Sequence, residues 1–201
     1  MKKNLELVGI LLGWFAVIGQ FILMLQNRVT DVPETIFRFF SFFTILTNTL
    51  VALYLTSKYF GFSNGLLSIF SRKSTLTALT TFILLVGTVY QLILRGIWEP
   101  EGLQRIIDEL LHTIIPVYFL VYWYLYASAS DIRLRPTLYW LLYPLLYFVF
   151  VIVKGHFSGF YPYPFLNANE IGYLGVAKSF LTILGITLLL MSLLVFFGRK
   201  K

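Results

Sequence analysis

The chain has 201 residues, of which 58% are hydrophobic and only 12% are charged, whereas a soluble domain has about half and about a quarter. It contains no cysteine, which excludes disulfides, thiolate nucleophiles and iron–sulfur ligation. The net charge of +7 comes from basic residues beside hydrophobic runs, an arrangement that membrane topology explains better than nucleic-acid binding. We therefore expect an integral membrane protein without a nucleic-acid partner.

Apolar residues fill six runs along the chain. A helix needs roughly 20 such residues to cross a bilayer core about 30 Å thick, and each run is close to that length. The sequence thus predicts an all-α polytopic membrane protein in which a single six-helix bundle occupies residues 1–201. The predicted spans are residues 5–26, 35–57, 74–95, 104–126, 137–154 and 172–197.

The distribution of charge predicts the orientation. Ten of the 16 Lys and Arg residues lie on the side that holds the N-terminus, the loops 58–73 and 127–136, and the C-terminal tail. An excess of Lys and Arg in short loops marks the cytoplasmic side, so we expect both termini in the cytoplasm. On the other side, the connection 155–170 is rich in aromatic residues and proline, and we expect it to fold over the outer mouth of the bundle.

Polar side chains recur at a similar depth in the predicted spans. Thr44 is nine residues into the second span and His112 is eight residues into the fourth, which places both about 12–14 Å below the outer ends of parallel helices. They can meet if these helices are neighbours. Ionisable groups in a bilayer either face a partner or serve a function, so the sequence predicts a polar pocket in the outer leaflet. Further candidates for this pocket are Asn48, Gln91, Arg95, Tyr147 and Lys178.

This set of residues suits nucleophilic catalysis. A hydroxyl becomes a good nucleophile when a neutral imidazole takes its proton, and a carboxylate can orient that imidazole. Thr44, His112 and Asp108 fit these three roles, with Asp108 one helical turn before His112. Thr47 is an alternative nucleophile and Glu109 an alternative neighbour of the histidine. An oxyanion could be stabilised by Asn48, Gln91, Arg95 or Lys178, and no metal or cofactor is implied.

Other interpretations remain open at this point. Hydroxyls in membrane helices often bond to their own backbone or to a neighbouring helix, so the same pocket could belong to a non-catalytic lipid-binding or transport bundle. The absence of an inverted repeat argues against a transporter. Haem ligation by His112 and His156 is a further alternative, although one histidine is predicted in a helix and the other in a loop.

Three segments carry a resemblance to a known family: Phe39-Phe-Ser-Phe-Phe-Thr-Ile-Leu-Thr-Asn48, Leu111-His-Thr-Ile-Ile-Pro116, and Gly155 with Tyr161-Pro-Tyr-Pro-Phe165. Together with the order and length of the helices, they resemble the bacterial six-helix branch of the androgen-induced-gene and androgen-dependent TFPI-regulating protein family. The resemblance implies an intramembrane threonine hydrolase of fatty acid esters of hydroxy fatty acids, with Thr44 and His112 as the catalytic pair. It also implies a lipid-ester substrate and a bacterial inner membrane, whereas the oligomeric state is not indicated.

Overall fold

A computed structural model describes residues 1–200, which are 81% helical and contain no strand. Five helices are long and apolar enough to cross a membrane, and a sixth span results if the bent pair α2 and α3 is counted as one. The prediction of an all-α polytopic membrane protein is confirmed. The helices are α1 (Lys2–Gln26), α2 (Val32–Phe39), α3 (Phe43–Phe60), α4 (Thr75–Leu94), α5 (Gly102–Tyr126), α6 (Leu134–Ser158) and α7 (Ala168–Gly198).

Helix α1 packs on α3 through small residues. An ideal Cβ on Gly13 would lie 3.0 Å from the Cβ of Ala52, and one on Gly9 would lie 2.5 Å from Leu55. Small residues let two membrane helices approach closely, because lipid offers no hydrophobic drive for their association. The opposite face of α1 exposes a stripe of large apolar side chains, as expected of a surface that meets lipid: Leu7, Leu11, Phe15, Ile18 and Ile22.

Helix α4 lies at the centre of the bundle and packs against α3, α5 and α7. Two of its buried hydroxyls are satisfied within the helix, since Thr80 and Thr81 each donate to the carbonyl four residues earlier. Thr77 Oγ1 accepts a hydrogen bond from the indole N–H of Trp123 on α5, at 2.9 Å. These threonines are therefore structural, in line with the usual role of hydroxyls in membrane helices.

Both termini lie at the same end of the bundle. Lys2 Nζ is 5.4 Å from the ring centre of Tyr126 at the end of α5. Gly198, at the end of α7, lies against Ile132 in the loop after α5. We call the opposite end, which carries α2 and the loop 159–167, the distal end.

The second predicted span is not one continuous helix. Helices α2 and α3 meet at an angle of 69° across residues 40–42. Ser41 Oγ donates to the carbonyl of Phe37, and the carbonyl of Ser41 accepts from the hydroxyl of Tyr147 at 2.9 Å rather than from the next helical turn. Lys154 Nζ adds a bond to Ser41 Oγ at 2.8 Å. The hydroxyl of Tyr147 thus satisfies a backbone carbonyl that has no helical partner at the bend, and Lys154 binds the Ser41 side chain beside it.

This bend corrects the depth argument made from the sequence. Thr44 is the second residue of α3, whereas the sequence predicts it nine residues into a straight helix. Neither proline nor glycine lies within residues 39–43, so the sequence carries no conventional signal for the break.

Candidate active site

Thr44 lies at the start of α3, where backbone N–H groups have no partner within the helix. Its N–H donates to the hydroxyl oxygen of Tyr163 at 3.2 Å. Its side-chain Oγ1 is 3.3 Å from the same phenol oxygen. The residue is only 7% exposed. The break between α2 and α3 therefore gives Thr44 a hydrogen-bonding backbone amide and a hydroxyl group on one side of the helix.

His112 faces Thr44 from α5. The distance from Thr44 Oγ1 to His112 Nε2 is 3.4 Å. On the other side of the ring, Nδ1 is 2.9 Å from the carbonyl oxygen of Asp108 and 3.2 Å from its carboxylate Oδ1. Both of these atoms are acceptors, so the ring proton belongs on Nδ1 and the free lone pair of Nε2 points at the threonine hydroxyl. This is the arrangement that a general base requires.

A widened helical turn presents the histidine. Residues Leu110–Ile114 form a π-helical turn, in which the N–H of Ile115 bonds to the carbonyl of Leu110. The same register would pair the carbonyl of Leu111 with residue 116, but Pro116 has no N–H. Asn48 Nδ2 donates to the Leu111 carbonyl instead, at 3.2 Å. Such turns are rare and occur often at functional sites.

Asn48 also connects the two catalytic candidates. The side chain is fully buried, and Nδ2 donates to the carbonyl of Thr44 at 2.9 Å as well as to that of Leu111. One amide group therefore joins the first turn of α3 to the turn of α5 that holds His112. Asn48 was expected as an oxyanion donor, whereas its donor group here is occupied by the backbone.

Tyr90 positions the imidazole from a third helix. Its ring lies parallel to that of His112, with 4.2 Å between the ring centres and 13° between the planes. Tyr90 begins the π-helical last turn of α4. The stack restrains rotation of the histidine ring. The face of an aromatic ring also attracts a cation, so Tyr90 favours the imidazolium form that proton transfer produces.

Thr44 lines a cavity of about 520 Å³ between α3, α4, α6, α7 and the loop 159–167. The lining residues that carry a hydroxyl are Thr44, Tyr139, Tyr147, Tyr163 and Thr187. Most of the remaining wall is aliphatic or aromatic, and His112 lies behind Thr44. The cavity is not fully enclosed, and two residues of its α6 wall, Leu142 and Leu145, are 57% and 45% exposed.

The predicted site residues divide into two groups. The structure brings Thr44, His112 and Asp108 together, with Asn48 beside them, and Tyr147 lines the cavity. Thr47, the alternative nucleophile, faces α6 instead, where its Oγ1 is 3.0 Å from the hydroxyl of Tyr143.

The expectation that Gln91, Arg95 and Lys178 enter the pocket is wrong. The π-helical end of α4 turns Tyr90 towards His112 and leaves Gln91 exposed, where its Nε2 donates to Thr113 Oγ1. Arg95 pairs with Glu109, so that carboxylate is not the neighbour of His112. Lys178 is exposed on α7, where a long side chain can carry its charge towards the membrane surface.

Sequence reasoning missed the role of Tyr163. The aromatic side chains and prolines of the Tyr-Pro-Tyr-Pro segment are typical of an anchor at the membrane interface, but Tyr163 is only 8% exposed and its hydroxyl lies 3.3 Å from Thr44 Oγ1. The connection folds back against the bundle, since Tyr163 contacts Thr44 and the ring of Tyr161 lies against Gly155. Burial raises the pKa of the Tyr163 hydroxyl, so the group keeps its proton and can donate. Its position between two prolines was the available signal, because proline restricts how such a loop can fold.

The two histidines do not face each other. His156 is exposed, and its Nδ1 is 3.0 Å from the hydroxyl of Tyr173, whereas both ring nitrogens of His112 face Thr44 and Asp108. Within residues 1–200, no three His, Cys, Asp or Glu side chains are grouped as metal ligands.

No protein-family model, curated protein or solved structure matches the chain. The family resemblance of the three sequence segments therefore remains a prediction.

Proposed function

We propose that this integral membrane protein is a lipid-ester hydrolase that uses Thr44 as its nucleophile and His112 as its general base. One observation carries the proposal. Thr44 Oγ1 lies 3.4 Å from the unprotonated nitrogen of His112 and at the wall of an apolar cavity. A dedicated structural threonine would need neither the oriented imidazole nor the cavity.

The reaction would proceed in two halves. Thr44 Oγ1 attacks the ester carbonyl carbon as its proton passes to His112 Nε2, and the ester C–O bond breaks as His112 returns that proton to the departing alkoxide oxygen. Water then attacks the acyl-threonine with His112 again as the base, which releases the carboxylic acid and restores the threonine hydroxyl. Asp108, 3.2 Å from His112 Nδ1, favours the imidazolium at each stage.

The cavity favours a long-chain substrate. Its wall spans residues 138–148 of α6, a helical rise of about 15 Å. Apolar burial of roughly 0.8 kcal/mol per methylene makes an alkyl chain its natural occupant. We propose fatty acid esters of hydroxy fatty acids as the substrate class, in agreement with the family resemblance.

The test combines labelling with hydrolysis. Membranes that contain the protein are treated with a fluorophosphonate probe, and hydrolysis of a defined fatty acid ester of a hydroxy fatty acid is followed by mass spectrometry. Thr44→Ala should lose both labelling and hydrolysis, whereas Thr47→Ala should keep both. If Thr44→Ala hydrolyses the ester at the parental rate and Thr47→Ala does not, the nucleophile is Thr47, one helical turn away. Full activity in both variants would eliminate a threonine mechanism.

A lipid-binding or transport bundle is the second candidate, and the largely apolar lining of the cavity favours it. The two functions differ in what Thr44→Ala does to binding. A hydrolase should retain a non-hydrolysable ether analogue in this variant and lose only turnover. If the parental protein binds the ether analogue but never hydrolyses the ester, the binding function is the correct one.

We further propose that the protein lies in a bacterial inner membrane with both termini in the cytoplasm. The shared location of the termini at one end of the bundle supports this orientation, as does the excess of Lys and Arg on that side. A tag on either terminus should resist protease added to intact cells. Digestion of both tags would reverse the orientation and place the site in the cytoplasmic leaflet.

A further inference from the structure

We infer that Tyr163 is a catalytic residue whose hydroxyl donates a hydrogen bond to the oxyanion formed when Thr44 attacks an ester. The inference rests on the proposed hydrolase function and extends it to a residue in the loop 159–167. It depends on the position of one oxygen atom. Tyr163 OH is 3.3 Å from Thr44 Oγ1 and accepts the Thr44 N–H at 3.2 Å.

The partners of these groups favour one set of hydrogen-bond directions. Both atoms that face His112 Nδ1 are acceptors, so we assign the ring proton to Nδ1. His112 Nε2 then accepts from the Thr44 hydroxyl. The remaining lone pairs of Thr44 Oγ1 face the hydroxyl of Tyr163, which accepts the Thr44 N–H and has its own proton to donate. Tyr147 is a second neighbour of this hydroxyl, and we assign the phenol proton to the contact with the nucleophile oxygen.

The proton of the Tyr163 hydroxyl can donate a hydrogen bond to each atom that becomes negatively charged during the reaction. As Thr44 loses its proton, negative charge appears first on Oγ1 and then on the carbonyl oxygen of the substrate, one carbon atom further away. A donor beside Oγ1 is within reach of both positions. No bond to Tyr163 forms or breaks, since the threonine proton goes to His112 and Tyr163 contributes only a hydrogen bond. Donors aimed at developing charge in a water-poor site are often the largest single source of catalysis.

The surroundings of Tyr163 hold the hydroxyl in place. The ring stacks on Phe165 with a centre-to-centre distance of 5.1 Å and meets Phe42 edge-on at 5.8 Å. The loop itself is seated at Gly155, where an added Cβ would fall 2.1 Å from the ring of Tyr161. Donors that are fixed before reaction cost no reorganisation when charge develops, which is what oxyanion stabilisation requires.

Tyr163→Phe is the direct test, because it removes the hydroxyl and keeps both ring contacts. Tyr143→Phe is the matched control, since the hydroxyl of Tyr143 lies 3.0 Å from the other threonine, Thr47, one turn along α3. We expect kcat of Tyr163→Phe for ester hydrolysis to fall about 100-fold, the usual effect of losing one oxyanion donor. Its KM and its Kd for the ether analogue should change less than twofold. Tyr143→Phe should retain the parental kcat.

A second variant tests the position of the loop. Gly155→Ala should displace Tyr161 and the loop that carries Tyr163, and so lower kcat while Thr44 and His112 remain. Gly185→Ala is its control, because nothing lies within 4 Å of the added Cβ. Thermal unfolding of all four variants in detergent separates loss of catalysis from loss of fold.

The outcomes separate this inference from the proposed function. If Tyr163→Phe hydrolyses the ester at the parental rate while Thr44→Ala is inactive, Tyr163 is not a donor and the hydrolase function stands. A faster Tyr163→Phe would show that the hydroxyl obstructs the oxyanion position and would likewise overturn the inference. Parental activity in Thr44→Ala would overturn the threonine mechanism and the role of Tyr163 with it.

Discussion

Asn48 donates a hydrogen bond to the carbonyl of Leu111 at 3.2 Å, in place of the N–H that Pro116 lacks. Because the carbonyl and the amide are both buried, removing the amide should cost about 1–3 kcal/mol of stability. We expect Asn48→Ala to lower the unfolding temperature in detergent. The cost should shrink when Pro116→Ala restores an N–H to α5, so a double-mutant cycle should be non-additive. An equal cost of Asn48→Ala in the parental protein and in the Pro116→Ala variant would argue against this account of the π-helical turn.

Thr44 and His112 should act as one unit. Thr44→Ala and His112→Ala should each reduce ester hydrolysis by at least about 100-fold, since general base catalysis alone contributes that much. The double variant should be little slower than either single variant, because neither group works without the other. If the loss of kcat/KM in the double variant equals the product of the losses in the two single variants, the residues contribute independently.

The stacked ring of Tyr90 should matter for catalysis through the charge on His112. Tyr90→Phe keeps the aromatic face and Tyr90→Leu removes it, so comparison of the two isolates the stack. Given about 1–2 kcal/mol for a partly desolvated cation–π contact, kcat of Tyr90→Leu should be roughly tenfold below that of Tyr90→Phe. Equal kcat values in the two variants would limit Tyr90 to packing.

Gly87 keeps α4 close to the widened turn of α5. A Cβ at this position would lie 3.0 Å from the carbonyl oxygen of His112 and 3.3 Å from Pro116. Gly87→Ala should push the two helices apart by a few tenths of an ångström, and displacement of His112 from Thr44 lowers kcat because catalysis depends on sub-ångström positioning. Gly185→Ala, on the open side of α7, is the control. A parental kcat in Gly87→Ala would mean that His112 moves independently of its backbone.

Hydrolysis should not decline on the alkaline side of neutrality, because the hydrogen-bond donor assigned to Tyr163 keeps its proton there. Burial holds the pKa of the Tyr163 hydroxyl above its usual value of 10.0. The phenol therefore keeps its proton at alkaline pH and can still donate a hydrogen bond. Tyr163→Phe should show the same alkaline profile at a lower rate. An alkaline decline below pH 10 that disappears in Tyr163→Phe would contradict this assignment of the phenol.

Composition and hydrophobic periodicity were enough to predict the helical bundle, because crossing a bilayer imposes length and apolarity on every span. The meeting of Thr44 with His112 was also predicted, but through an argument from straight helices that the bend at residues 40–42 invalidates. At that bend Ser41 is hydrogen-bonded by Tyr147 and Lys154, which lie more than 100 positions away in the chain. Tyr163 reaches the site through a loop whose path depends on tertiary packing, and no periodicity encodes that path.

The π-helical turn Leu110–Ile114 also has a consequence for the register of α5. A π-helical turn is closed by hydrogen bonds between residues five apart, so it contains one residue more than an α-helical turn, in which the bonded residues are four apart. Deleting one residue here would let the helix close regularly, while residues before and after it kept their present faces towards α1 and α4. The deletion should change the free energy of unfolding little, and it would remove the outward bulge that carries His112. Within this segment, chain length itself is therefore a functional variable, and a natural relative one residue shorter here would retain the bundle but present its histidine differently.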